Sequence, residues 1–275
     1  MKINGRIVCQ KSNLYVVEAN GSRYECRARG KFRHDAITPL VGDKCVIDDE
    51  DKYIIDIYPR SNKLDRPPIA NVETALIITS VKMPNLSLNL LDRELACILN
   101  ENIKPVVCLT KMDLLSSKEK KEIKTIFKYY KSIGIEIVTN KRIAKLKRLL
   151  KGKTVVLTGQ TGAGKSTLIN KLDKNLNLET NEISKALGRG VHTTRHTEIY
   201  NISNIYIADT PGFSSLDLNI EKNKLKELYP EFNVKCEFLD CNHIKEKGCK
   251  VKELVEKNII MKSRYENYIK FWSEL

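Results

Sequence analysis

Gly159 to Ser166 reads GQTGAGKS and satisfies the phosphate-binding pattern GxxxxGK[ST] at every fixed position. A β-type run, Thr154-Val155-Val156-Leu157-Thr158, precedes it, and a helix-compatible segment, Ser166 to Leu172, follows. That strand–loop–helix setting separates a P-loop from a chance glycine-rich turn. Glycines let backbone N–H groups close around phosphates without Cβ clashes, and the helix start adds its partial positive charge. Lys165 is expected to reach the β- and γ-phosphates, and the Ser166 hydroxyl to ligate Mg²⁺. Gly159, Gln160, Thr161, Gly162, Ala163, Gly164, Lys165, Ser166 and Thr167 are thus the candidate contacts of a nucleoside triphosphate.

Downstream, Leu187 to Thr197, LGRGVHTTRHT, is polar and threonine-rich, as a switch loop would be. Thr193 or Thr194 could complete the Mg²⁺ shell, and Thr194 is favoured. Ile205 to Asp209 reads as a strand running into Asp209-Thr210-Pro211-Gly212. Asp209 would hold Mg²⁺ through water, and the Gly212 N–H would sense the γ-phosphate. Phe213 follows, and a phenyl ring cannot orient water. His192 in the preceding loop is the local candidate for that task, against the alternative of a surface histidine with no catalytic role.

Upstream, Ala75 to Thr79 and Pro105 to Leu109 are apolar runs of the kind buried in a parallel sheet, separated by a helical stretch, Leu90 to Asn100. The alternation implies a doubly wound α/β domain. Thr110-Lys111-Met112-Asp113 stands directly after the second run and resembles the guanine-recognition motif NKxD. The Asp113 carboxylate can accept from N1–H and the 2-amino group of guanine. Adenine offers an acceptor at N1 and no 2-amino group, so it would leave acceptors unpaired. The Lys111 stem would lie along the base or ribose. Thr110 replaces an amide that usually buttresses such a site, so modest affinity is expected. A further strand, Ile135 to Thr139, could present Thr139-Asn140-Lys141 to the base. Lys141 to Lys153 is an amphipathic basic helix with Ile143, Leu146, Leu149 and Leu150 on one face.

The first 58 residues or so alternate like a small barrel, with candidate strands at Asn4–Cys9, Leu14–Glu18, Arg23–Ala28, Lys44–Asp48 and Tyr53–Ile57. Asn20-Gly21 is a hairpin signal, and Gly42-Asp43 marks another turn. Five short strands suit an OB-type barrel, whose open face commonly binds oligonucleotides. Arg27, Arg29, Lys31 and Arg33 recur with period two, so a continuing strand would line them on one face, unless Gly30 breaks it. RNA contact is favoured over a solvated protective edge. Pro59 to Ala70, PRSNKLDRPPIA, reads as an extended linker.

The 275 residues carry a formal charge of +14, which points to a polyanionic partner, the bland alternative being a lysine-rich surface. No apolar run reaches the length of a membrane span and Met1 to Gly5 has no signal-type core, so a cytoplasmic protein without membrane contact is expected. Cys9, Cys26, Cys45, Cys97 and Cys108 lie in apolar runs and read as small core residues. The remaining three cysteines form Cys236-x4-Cys241-x-His243-x5-Cys249. Three thiolates and one imidazole saturate tetrahedral Zn²⁺ with no position left for a catalytic water, which suggests one structural site. A helical tail follows, with Val251, Leu254 and Val255, then Tyr265, Tyr268, Ile269 and Trp272, at helical spacings.

The order of the motifs is unusual. TKMD comes before the P-loop, whereas ordinary GTPases carry the guanine motif last. The linker RSNKLDRPPIANVE, TKMDL, GQTGAGKSTLIN, GRGVHTT, DTPGF and the metal pattern together resemble the RsgA (YjeQ) family of circularly permuted, ribosome small-subunit-dependent GTPases. Arg195 departs from many members, which have a third threonine there. The expected fold is multidomain: an OB-type RNA-binding β-barrel (1–66), a circularly permuted P-loop α/β GTPase domain (67–226) and a zinc-binding helical module (227–275). The resemblance implies GTP and GDP as ligands, the small ribosomal subunit and its rRNA as partners, and a role in late subunit maturation. A monomer is expected. Competing classes are a P-loop ATPase acting on DNA, which Asp113 opposes, and an RNA-binding module without relevant turnover.

Overall fold

The computed structural model describes residues 1–30, 32, 37–65, 68–173, 198–209 and 218–275. The chain opens with β1 (Lys2–Lys11), β2 (Leu14–Ala19), β3 (Ser22–Ala28), β4 (Lys44–Asp48) and β5 (Tyr53–Ile57). β1 pairs antiparallel with both β2 and β4, β2 with β3, and β4 with β5, while β3 and β5 run parallel. The five strands therefore close on themselves, which removes exposed edges. Ile7, Val17, Cys26, Cys45, Ile47 and Ile54 fill the interior and are fully buried. Asn20 and Gly21 both take positive φ in the β2–β3 turn, the conformation that a two-residue hairpin needs.

The chain continues through β6 (Lys63–Asp65), β7 (Pro68–Ala70), β8 (Thr74–Ser80), α1 (Leu88–Asn100), β9 (Lys104–Thr110), α2 (Ser117–Ser132), β10 (Glu136–Thr139), α3 (Ile143–Leu150), β11 (Thr154–Thr158) and α4 (Lys165–Leu172). After β12 (Glu198–Ile202) and β13 (Ile205–Asp209) come 3₁₀ turns at Lys222–Leu228 and Pro230–Phe232, then α5 (Lys250–Glu256) and α6 (Lys262–Glu274). Among the described residues no helix is long and apolar enough to cross a membrane. Two compact units result: Met1–Leu76 with Asn140–Gly159 and Gly164–Ser214, and Ile77–Thr139 with Gln160–Ala163 and Ser215–Leu275.

In the first unit, β11 pairs parallel with β13, β13 antiparallel with β12, and β12 antiparallel with β1 of the barrel. The segment after the barrel is not merely extended, as its composition suggests. β6 and β7 pair antiparallel, and the Asn62 side chain clamps both backbone groups of Val72, at 2.7 and 2.9 Å. Asn71 Oδ1 accepts from the Ser61 N–H at 2.9 Å. Arg60 donates two 2.7 Å bonds to the fully buried Asp43, so the hairpin is fastened to the barrel turn. Gly42 is obligatory there: at φ +94 its backbone passes so close to Ala70 that a Cβ would lie 2.0 Å from the Ala70 carbonyl oxygen.

In the second unit, β9 and β10 run parallel, with β8 beside β9. Ser87 caps α1, and α2 begins with a reciprocal capping box between Ser116 and Glu119. Helix α6 packs through Tyr268 and Phe271 onto Tyr229, Phe232, Leu225 and Ala96. Ile269, expected on that face, is 38% exposed, and Phe271 takes the buried place. A buried polar cluster fastens α6 to α1. Asp92 accepts from Arg264 Nη1 at 2.7 Å, the Tyr130 hydroxyl at 2.7 Å and Asn267 Nδ2 at 2.6 Å, while Arg264 also donates to Glu231. Burial pushes the Asp92 carboxyl up, and these donors oppose it. Arg264→Met is expected to cost about 3–5 kcal/mol by leaving buried carboxylates uncompensated. The check is a urea midpoint that falls at unchanged m-value; a loss under about 1 kcal/mol would contradict the cluster's importance.

Candidate functional site

Strand β11 delivers the chain into the GQTGAGKS loop, where Gly159, Gly162 and Gly164 have φ of 129, 79 and 98°. Side chains rarely adopt such values, so the glycines of the motif set the loop's path. The Lys165 ammonium folds back onto the Gly159 carbonyl at 2.6 Å, and the Ala163 N–H donates to the Gln160 carbonyl at 3.1 Å. Ser166 is buried in the first turn of α4, near the N-terminus where the helix charge favours an anion. The loop's glycine-dependent path, its lysine and its hydroxyl at the helix start fit a Mg²⁺–nucleotide.

Strand β9 ends in the TKMD stretch. Thr110 is buried, and its hydroxyl donates to the Ala163 carbonyl at 2.7 Å. Thr110 thus ties the TKMD stretch to the GQTGAGKS loop. Lys111 takes a left-handed φ of 58°, which turns the chain from the strand into the 3₁₀ turn Met112–Leu114, and its ammonium donates to the Met83 carbonyl. Asp113 is exposed at that turn, with its carboxylate accessible to a ligand. Asn140, at the end of β10, holds a buried Oδ1 without a hydrogen-bond partner among the described residues.

His192, Thr194 and Gly212 lie outside the described residues, as do Lys31 and Arg33. Asp209 ends β13. The basic row does not continue as one strand: β3 stops at Ala28, before Gly30. Arg27 and Arg29 nonetheless line one open cleft of the barrel with Tyr15 and Tyr53, and the Arg29 guanidinium lies 6.0 Å from the Tyr53 ring centre.

Cys236, Cys241, His243 and Cys249 converge, with their ligand atoms all within 4.8 Å of one another. The Sγ atoms of the three cysteines lie 3.6, 3.4 and 3.4 Å from His243 Nδ1. A tetrahedron with metal–sulfur and metal–nitrogen bonds of about 2.3 and 2.05 Å has such an edge at about 3.6 Å. The donor set therefore fits one tetrahedral metal bound through Nδ1. Burial, with the neighbouring thiols, pushes Cys241 up to about 12, and burial and Lys226 push His243 down, so metal binding must displace thiol protons.

The sequence pattern points to Tyr265 and Tyr268 as packing residues of a helical face, but neither to Glu246 nor to the partners of the tyrosine hydroxyls. Glu246 accepts from the N–H groups of Asn242, Ile244 and Lys245 at 2.8, 2.8 and 3.0 Å. Burial opposes its ionisation, but these backbone donors outweigh burial and hold it below the usual carboxylate range. The Tyr265 and Tyr268 hydroxyls donate to the carbonyls of His243 and Asn242 at 2.7 and 2.6 Å. A tyrosine on a buried helical face signals such a bond, because its hydroxyl needs a partner there.

Residues 57–219 match the family described as RsgA GTPase, and residues 4–53 match the RsgA N-terminal domain. A curated relative from Enterococcus faecalis, named small ribosomal subunit biogenesis GTPase RsgA, is 42% identical across 99% of this chain and 95% of its own. One of the same name from Streptococcus pyogenes serotype M3 is 46% identical over 99% and 95%. The crystal structure of YjeQ from Thermotoga maritima superposes with a TM-score of 0.86 at 33% identity, covering 100% of this chain and 99% of that one. YloQ, described as a circularly permuted GTPase, gives 0.84 at 34%, covering 100% and 95%. The similarity runs along the whole length of the chain, and the chain belongs to the RsgA GTPase family.

Proposed function

We propose that this chain hydrolyses GTP to GDP and phosphate while bound to the small ribosomal subunit and its rRNA, in late maturation of that subunit. The observation that carries the reading is the 2.7 Å bond from the Thr110 hydroxyl to the Ala163 carbonyl, which joins a guanine-type motif to a phosphate loop. The names of the relatives support the partner. The proposed limits are 1–66 for the RNA-binding barrel, 67–226 for the GTPase domain and 227–275 for the zinc module. The chain acts as a cytoplasmic monomer, with one structural Zn²⁺ on Cys236, Cys241, His243 and Cys249.

Gly159 to Thr167 hold the phosphates, with Lys165 on the β- and γ-groups. Asp113 and Lys111 take the base, and Thr110 positions the loop against it. Ser166, Thr194 and Asp209 hold Mg²⁺, which neutralises charge on the transferring phosphoryl group. Gly212 reads the γ-phosphate, and His192 orients the attacking water that Phe213 cannot. Arg27, Arg29, Lys31 and Arg33 contact RNA phosphates.

The test is GTP hydrolysis by the purified protein, titrated with small subunits. Turnover is expected to be slow alone and to rise at least about 10²-fold with subunits, because partner binding completes the catalytic arrangement. His192→Ala should remove most of that rise, by about 10²-fold, while GDP affinity stays within about twofold. A wild-type rate indifferent to subunits would favour the second reading, an RNA-binding module that keeps its nucleotide as a structural ligand. Unchanged stimulated turnover in the variant would exclude His192.

A further inference from the structure

The β12–β13 hairpin carries a relation that the nucleotide site alone does not use. Its register places Glu198 opposite Asp209, at the open end, and Ile202 opposite Ile205, at the turn. Glu198 follows the threonine-rich stretch, and Asp209 begins DTPG, so the open end joins the two segments assigned to reading the γ-phosphate. On its other side, Glu198 is in register with Cys9 of β1, a barrel strand. One row across three strands therefore runs from the barrel, through Glu198, to Asp209.

Side chains reinforce the row. Arg23 of β3 lies 3.6 Å from the Glu198 carboxylate, whose other oxygen accepts from the Tyr200 hydroxyl at 3.1 Å. Asn201 donates to Glu18 of β2 at 2.7 Å. Arg6 of β1 stacks 4.0 Å from the centre of the Tyr206 ring and donates to Thr154, the first residue of the strand that leads to the P-loop, at 3.0 Å. At the turn, the Gly152 N–H donates to the Asn204 carbonyl at 2.6 Å. The barrel meets the hairpin at its open end through Arg23 and Glu198 and near its turn through Glu18 and Arg6, while Gly152 and β11 hold it from the other side. Arg23 shares strand β3 and its face with Arg27, which lines the barrel cleft.

We propose that Arg23 and Glu198 form a positioning pair through which the barrel sets the open end of this hairpin, coupling occupancy of the barrel cleft by an RNA strand to the nucleotide state. The inference rests on the GTPase reading above. The coupling is reciprocal: a polyanion that favours one barrel geometry biases the Glu198–Asp209 row, and the nucleotide biases the barrel by the same factor. A joint that merely cements two domains would hold both nucleotide states alike.

The experiment compares wild type, Arg23→Gln, Glu198→Gln and the exchanged pair Arg23→Glu with Glu198→Arg. Amide hydrogen exchange is followed at Val8–Lys11 and Glu198–Ile202, with GDP and with a non-hydrolysable GTP analogue, and kcat and KM are measured for GTP. In wild type, exchange at both segments should differ between nucleotides by about fivefold or more, the lower end of typical coupling factors. Each single variant should bring that ratio close to one and shift kcat by about threefold or more with KM within about twofold, and the exchanged pair should recover both. A ratio of one in wild type, or a wild-type ratio retained in both single variants, overturns the proposal. Failure of the GTPase reading looks different: the wild-type protein would neither bind the analogue nor turn GTP over, and the inference would fall with it.

Discussion

Asp113→Ala is expected to weaken GTP binding by about 10²- to 10⁴-fold and to erase the preference for guanine over adenine, since two hydrogen bonds to an ionised acceptor are worth about 1.5–3 kcal/mol each. The turn that carries Asp113 is built without its carboxylate. Lys111 supplies the left-handed corner, and buried Leu115 anchors the far side. Loss of an exposed side chain there should leave stability within about 0.5 kcal/mol, so the binding defect reads as recognition rather than unfolding. The sharper arm is Asp113→Asn. An amide offers one acceptor and one donor, which complement N1–H and the 2-oxo group of xanthine, so xanthosine triphosphate should bind this variant better than GTP does. Direct calorimetric titration of GTP, ATP and xanthosine triphosphate into wild type and both variants measures all three. Guanine preference intact in both variants would remove Asp113 from the base site.

How far such a site is legible depends on whether its chemistry is local. The P-loop was readable because glycine conformations and a lysine at fixed spacing are imposed by the phosphates themselves. The alternation of the barrel was readable because a closed sheet buries every second residue. By contrast, β6 and β7 look like a linker, because their pairing depends on Asn62 and Asn71 clamping backbone some ten residues away. Strand β12 escaped notice although Ile199 and Ile202 are buried, because five residues beside a polar loop give too few periods to register. For the basic row the sequence leaves open whether Gly30 breaks the strand, since period two says which face a residue takes but not where a strand ends; β3 ends at Ala28. Helix α6 was read with one buried stripe, and Phe271 fell outside it because the helix packs on more than one neighbour. Glu246 is legible only in three dimensions: one carboxylate collects three N–H groups that no residue pattern announces.

Removal of the metal, by chelation or by Cys249→Ser, is expected to unfold residues 233–249 and leave the rest of the chain able to bind nucleotide. Within that stretch the buried residues are Cys241, His243 and Cys249, the ligands themselves, while Phe238 is 50% and Leu239 fully exposed. It contains no helix or strand. Ordering a residue costs about 1–2 kcal/mol of backbone entropy, and besides the ligands the loop sets only Val234 and Ile244, both partly buried, against the core to offset that cost. Four metal bonds can, since structural zinc contributes about 10–16 kcal/mol in small zinc folds. The bonds from Tyr265, Tyr268 and Glu246 are individually worth about 1–3 kcal/mol and serve a loop that the metal has already closed. Tyr229, Phe232, Tyr268 and Phe271 share one cluster with Cys241 and Cys249, but they also pack on Ala96, Leu225, Val251 and Ile260, contacts that loss of the metal leaves in place. The readout is limited trypsin cleavage at Lys235, Lys245 and Lys247. Cleavage follows the open population when reclosing is fast, so a loss of even about 3 kcal/mol accelerates it roughly 10²-fold. One equivalent of Zn²⁺ should restore protection to the chelated wild type and fail to restore it in Cys249→Ser. If cleavage at those lysines proceeds at the same rate before and after chelation, the loop is held by its own hydrogen bonds, and the four side chains are three thiols and an imidazole with no structural metal between them.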